Sequence, residues 1–315
     1  MSKLAKLRAE IETAGIQAFM ITRPENRRYI SGFHGSAGTL VVTQASAYLL
    51  TDFRYIEQAQ AQAPEFQVVK IGEPGQDALQ DVLAADGISS LGFEQDYVTY
   101  AEYERLTKRL TAELVPLSGI VEKLRRVKTE EEIAVMQQAT EIAEAAFAQV
   151  LPEIKVGRTE LEVALDLEFA MRRLGAEGMA FSIIAASGPR SSLPHGGPTQ
   201  RVLQAGDFLT LDFGAVHGGY CSDMTRTVVL GQPSEKQLEI YGIVLQAQLQ
   251  AQAAVRPGMP GKEVDQVARD IIAAAGYGDY FGHGLGHGVG LQVHEGPSAG
   301  KTSTDILEPG MVVTI

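Results

Sequence analysis

Glycine takes every second position from Gly282 to Gly290 in the stretch GHGLGHGVGLQVHE, and no other segment limits the possible fold so sharply. The spacing of His283 and His287 would suit one face of a helix, but the five glycines would cost that helix roughly 4 to 5 kcal/mol relative to alanine. The segment therefore reads as extended chain, with His283, Leu285, His287 and Val289 on one face and only hydrogens on the other. A neighbouring layer can approach such a bare face closely. A single histidine is more often a satisfied structural residue than a ligand. Here three of the chain's six, His283, His287 and His294, share fourteen positions, which calls for a chemical reason.

A second constraint comes from FLTLDFGAVHGGYCSDMTRTVVL, Phe208 to Leu230, two β-rich runs joined by a glycine turn. With His217 and Gly218 at the centre of the turn, Asp212 faces Asp223, their Cβ atoms about 4.5–5.5 Å apart. A turn at Gly218 and Gly219 breaks that pairing. Facing carboxylates repel unless a proton or a cation lies between them. The bland reading is an exposed hairpin with two solvated aspartates. LTLDFGA and CSDMTRTVVL are apolar enough for burial, however, and a buried carboxylate pair is costly without a partner. Aspartates with a histidine suit manganese, cobalt, zinc or iron, and the lack of thiolate ligands argues against a structural zinc site. Cys221, the only cysteine, alternates with Asp223 and reads as a packing residue.

The 315 residues exceed one average domain. Residues 1–121 alternate helical and strand signals in an α/β pattern: a first helix to about residue 14, then strands in IQAFMIT, GTLVVT, AYLLTD and SSLGFE among further helices. A second domain, 122–315, is expected to be α+β. Within it Thr129 with Glu132 and Thr159 with Glu162 form capping boxes, each opening a helix, the first running to about Val150. PGMPGKEVDQVARDIIAAAG repeats a glycine turn, an amphipathic helix and a glycine stop about a hundred residues later, which suggests an internal duplication of two halves facing each other across a cleft. Net charge is −12, divided as −4 over residues 1–120 (11 basic, 15 acidic) and −8 over the rest (16 basic, 24 acidic), so neither part looks built for nucleic acid or an anionic membrane. One cysteine, no signal-peptide pattern and no membrane-length apolar run place the chain in the cytoplasm by expectation.

These residues resemble the metallopeptidases of the pita-bread fold, a family that includes methionine aminopeptidase, aminopeptidase P and prolidase. The likeness rests on SLPHGGPT with His195, LDFGA with Asp212, SDMTRT with Asp223, and GHGLGHGVGLQVHEGP with His283, His287 and His294. ENRRYISGFHGSAG and TDFRY are similar to the creatinase-type N-terminal domain of the proline-specific members. The resemblance implies two divalent ions, manganese or cobalt first and zinc or iron second. Asp212 would bind one ion, Asp223 would bridge both, and His287 would bind the other. His195 and His294 would contact substrate and stabilise charge on the tetrahedral intermediate, with His283 lining the pocket. Thr225 would support the bridging carboxylate of Asp223. The implied assembly is a homodimer.

The implied substrate is an Xaa-Pro dipeptide, with aminopeptidase P activity on longer peptides as the alternative. Family members carry a glutamate ligand immediately after the strand that resembles LEPGMVVTI and a second, bridging glutamate later. Glu308 matches neither, and the sequence ends at Ile315. The expectation is a C-terminally truncated domain with three of five protein ligands and little or no activity. A metal-free amidinohydrolase on the same fold is disfavoured by Asp212, Asp223 and His287. A non-catalytic peptide-binding or scaffold protein is the reading from another class. Arg54, Arg190 and Arg226 read as ion-pair residues, His34 as a loop residue and His217 as a turn residue.

Overall fold

A computed structural model of the chain describes residues 1–72 and 77–315. The chain divides into two compact units, Met1–Arg125 and Arg126–Ile315.

In the first unit the elements follow as α1 (Lys3–Thr13), β1 (Ala18–Ile21), α2 (Pro24–Ser31), β2 (Thr39–Thr43), β3 (Ala47–Thr51), α3 (Ile56–Gln62), β4 (Gln67–Lys70), α4 (Ala78–Ala85), β5 (Ser90–Glu94), α5 (Tyr100–Arg109), β6 (Glu113–Leu117) and the start of α6 (Ile120–Arg126). The strands form one mixed sheet in the order β4-β3-β2-β1-β5-β6. β1, β2 and β3 pair antiparallel, whereas β4, β5 and β6 join in parallel. Residues of β1 and β3 are buried throughout, as the near-continuous apolar runs AFMI and AYLLT require of inner strands. Met20, Val41, Leu50, Leu83, Leu91 and Leu106 share one core. All four strands expected from the sequence are present.

The second unit contains α7 (Glu130–Val150), α8 (Glu160–Arg173), β7 (Gly178–Met179), β8 (Ile184–Ser187), β9 (Phe208–Phe213), β10 (Ala215–His217), β11 (Tyr220–Cys221), β12 (Met224–Val229), α9 (Glu235–Ala254), α10 (Gly261–Ala274), β13 (Gly286–Gly288) and β14 (Glu295–Ala299). Both expected capping boxes are formed, Thr129 with Glu132 and Thr159 with Glu162, and Ser234 with Gln237 adds one at the start of α9. Among the described residues the strands group as β12-β9-β8, β11-β10-β7 and β13-β14. α7 and α8 pack on the first of these through Ala143, Val163, Leu167, Leu211 and Phe213. α9, α10 and Leu307 share a smaller core that includes Val313 and Ile315.

The two helix pairs are closely matched in length, 21 and 14 residues against 20 and 14. Their entries are tied alike. Gly157 N donates to Leu203 O and Leu203 N to Arg158 O; Gly258 N donates to Leu307 O and Leu307 N to Met259 O. Single bridges join Thr159 to Val202 and Pro260 to Ile306 at the same relative places.

The hairpin register differs from expectation. The turn is Gly218–Gly219, with φ of 55° and 79°, a left-handed pair that glycine adopts without a Cβ clash and histidine does not. His217 therefore stays in β10, opposite Tyr220. In consequence Thr225, not Asp223, lies directly across from Asp212. The hairpin also breaks at Gly214, where a Cβ would stand 1.9 Å from Ser222 O. Ser222 Oγ accepts a hydrogen bond from Ala215 N (2.9 Å), and Asp223 sits in the interruption between β11 and β12.

Candidate active site

Asp212 belongs to β9, and its Oδ1 accepts a hydrogen bond from Thr225 Oγ1 at 3.1 Å. The sequence expectation had Thr225 supporting Asp223; the shifted register gives it to Asp212 instead. Asp223 lies just before β12, two residues from Thr225, and its charge acts on Asp212. Asp223 Oδ2 lies 3.4 Å from His287 Nε2. The His287 and His294 rings stand 4.1 Å apart between centroids.

Backbone contacts fix His287 in β13. Its amide donates to Thr314 Oγ1 (3.1 Å), and its carbonyl accepts from Thr314 N (2.8 Å). The extended reading of the glycine stretch holds over Gly286–Gly288 only, with a register irregularity after His287; the flanking residues follow an irregular path. The expected close approach to the bare face is present. A Cβ on Gly286 would stand 1.9 Å from Thr314 O, and one on Gly288 2.3 Å from Gly296 O.

Burial raises Asp212, and the neighbouring Asp223 charge raises it further, to about 6, against the opposing pull of Thr225, His287 and His195. Burial likewise raises Asp223, opposed by His287 and His294. His294 is lowered, by burial first and then by His287, with His195 also contributing and Asp223 opposing. Distances join Asp223 to His287 and His287 to His294, Thr225 and the Asp223 charge tie in Asp212, and the charge of His195 reaches Asp212 and His294. His283 is exposed, stacks edge-on against Phe281 at 5.1 Å, and has no described contact with that group.

The donor chemistry fits a cation. His287 Nδ1 is 3.0 Å from Gly288 O, so the ring proton belongs on Nδ1 and Nε2 offers its lone pair towards Asp223. Two acceptors 3.4 Å apart are at ease only with a positive charge between them. Among the described residues no three such side chains already converge as a metal-holding cluster.

Three features were not read from the sequence. Lys128 Nζ donates to Glu295 Oε1 (2.8 Å) with both side chains buried. Asp265 and Arg269, one helical turn apart on α10, form a two-pronged pair; Arg269 also donates to Phe281 O and His283 O, and Asp265 accepts from Leu285 N. Their i, i+4 spacing was the available signal. Arg190 makes its expected ion pair, with Glu160; the unread part is that this partner is fully buried on α8. Arg54 pairs with Asp52, and Arg226 lies 3.9 Å from Glu144, as expected for surface arginines.

Residues 134–315 match the metallopeptidase family M24, and residues 3–127 match the creatinase/prolidase N-terminal domain. The chain belongs to metallopeptidase family M24. It is 48% identical over 314 residues to the uncharacterized peptidase YqhT of Bacillus subtilis (strain 168), an alignment that covers 99% of this chain and 89% of that protein. The Xaa-Pro dipeptidase from Bacillus anthracis superposes with a TM-score of 0.96 at 46% identity, over 99% of this chain and 88% of that one. The X-Pro aminopeptidase from Thermotoga maritima MSB8 superposes at 0.90 with 38% identity, over 99% and 89%. An M24 pita-bread domain preceded by a creatinase-type domain is thus the architecture of this chain. No helix of the described residues is long and apolar enough to cross a membrane.

Proposed function

We propose that this M24 peptidase hydrolyses the Xaa-Pro bond of dipeptides, with Asp212, Asp223 and His287 as ligands of two divalent ions, manganese or cobalt. The observation that carries the proposal is the group of two raised carboxylates and an imidazole lone pair, with His287 Nε2 3.4 Å from Asp223. Bound there, the ions would acidify a water and polarise the scissile carbonyl. Thr225 orients Asp212 through its hydroxyl. Burial, and then the neighbouring His287, shift His294 towards its neutral form, one ring nitrogen of which would donate to a developing oxyanion. His195 comes from an exposed segment and would contact the substrate; His283 would line the approach. The site is proposed to act in a cytoplasmic homodimer. The matched helix pairs and their like-bonded entries support an internal duplication.

The second reading is an aminopeptidase acting on longer Xaa-Pro peptides, favoured by the likeness to the Thermotoga protein of that name. A third is a peptide-binding scaffold. We infer turnover that depends on added divalent metal.

The test is hydrolysis of Gly-Pro, Ala-Pro and a longer Xaa-Pro peptide by the 315-residue chain with added manganese or cobalt, beside the Bacillus anthracis relative. Metal-dependent cleavage of the dipeptides, reduced at least about a hundredfold by Asp223→Asn, is expected. Preference for the longer peptide favours the aminopeptidase reading. Metal uptake without cleavage of any of the three overturns the peptidase reading in favour of the scaffold.

A further inference from the structure

Lys128 and Glu295 form an ion pair at 2.8 Å with side chains only 1% and 6% exposed. A buried pair of this kind is weak ground for stability, because apolar residues of similar volume often serve as well; its best-attested use is to fix a register. The register at stake is visible. Glu295 follows His294 directly and opens β14, opposite Gly288. Its carboxylate lies over Gly290, where a Cβ would stand 2.2 Å from Oε1 and 2.8 Å from Oε2. Oε2 also faces Gln292 N at 3.4 Å, while Gly290 N donates to Gln292 O at 3.0 Å. Gly290 O in turn accepts from Cys221 N (2.8 Å), two residues ahead of Asp223.

Lys128 is itself anchored. Its amide donates to Gly310 O (2.9 Å), and its ammonium reaches Arg126 O (3.3 Å) as well as Glu295. Arg126 donates to Asp305 Oδ1 (2.8 Å), and the other oxygen of Asp305 accepts from Ser298 N (2.8 Å). The segment Arg126–Lys128 thus grips both ends of β14, and the turn from Gly290 to Glu295 is closed beneath His294 by a carboxylate that an apolar residue could not replace as an acceptor.

We propose that the Lys128–Glu295 pair is a positioning device for His294: it sets the path of the turn that carries this imidazole and so fixes its ring beside His287. The service to hydrolysis rests on the peptidase reading above, whereas the positioning itself does not.

The experiment uses the full chain and its imidazole NMR signals at one fixed pH without added metal, with the His294 signal assigned by its loss in His294→Asn. Lys128→Met leaves a buried carboxylate alone, so it lowers the unfolding temperature and displaces the His294 signal. Lys128→Met combined with Glu295→Gln removes both charges. It is expected to restore the unfolding temperature yet leave His294 displaced, with His34 and His217 unmoved. With metal and dipeptide, that double variant should lose about tenfold to a hundredfold in kcat, with a much smaller change in KM. A double variant with the native His294 signal overturns the proposal, as does one in which His34 and His217 move as far as His294. Absence of cleavage by the unsubstituted chain sinks the peptidase reading and leaves the imidazole signals to decide the positioning.

Discussion

A methyl group on Gly286 would meet the carbonyl oxygen of Thr314 at 1.9 Å, whereas one on Gly282, four residues earlier, would meet nothing within 4 Å. The alternating glycines therefore do unequal work. Gly286→Ala forces two backbone segments apart and should lower unfolding free energy by about 1–3 kcal/mol. Gly282→Ala should stay within about 0.5 kcal/mol. Urea denaturation of the two variants decides the matter, and equal losses would mean that the close approach is not what holds His287. The glycine periodicity makes this close approach legible in the sequence. The pairing of Asp212 was not legible in the same way, because it depended on which two turn residues take positive φ. A shift of one residue hands Asp212 to Thr225.

Among the elements, α8 shows how a helix start is tied to a sheet by charge. Glu160, in its first turn, accepts from Ser187 N (2.7 Å) and Oγ (2.8 Å), Thr199 N (3.1 Å) and Oγ1 (2.6 Å), and pairs with Arg190. Burial pushes its pKa up, but these donors together outweigh burial and hold it below the ordinary 4.5. A depressed folded pKa contributes stability that is complete above the unfolded value and is lost as pH falls through the folded one. The native chain should accordingly lose stability in acid below about pH 4.5. Glu160→Gln should cost about 3–5 kcal/mol at pH 7 and flatten that acid limb. Unfolding temperatures measured across the range check the sign; an unchanged acid limb in the variant would refute it. The helix starts were readable because a capping box spans four residues. Lys128 and Glu295, 167 residues apart, were not, since nothing local marks either as the other's partner.

For the whole molecule, each unit carries its own core, around Leu83 and Leu91 in the first and around Leu167 and Phe213 in the second. All the proposed metal ligands lie in the second. Divalent metal at about a hundred times its dissociation constant would stabilise the state that binds it by about 2.7 kcal/mol. Hydrogen exchange with manganese, then with excess chelator, should show slower exchange in β9 and β13 with metal and little change in β1 and β5. Equal protection of both units would contradict a site confined to residues 126–315. The two-domain α/β and α+β plan was legible from strand and helix periodicity. The compact units divide between Arg125 and Arg126, inside the segment EKLRRVKTEEE that begins at Glu122.

Cys221, 5% exposed and bonded through its amide to Gly290, is the chain's one thiol and sits two residues from Asp223. An alkylating reagent in solvent can reach that sulfur only when the surrounding strands part. The rate at which the protein is labelled is therefore a clock for how often its centre breathes open, readable without introducing any foreign probe.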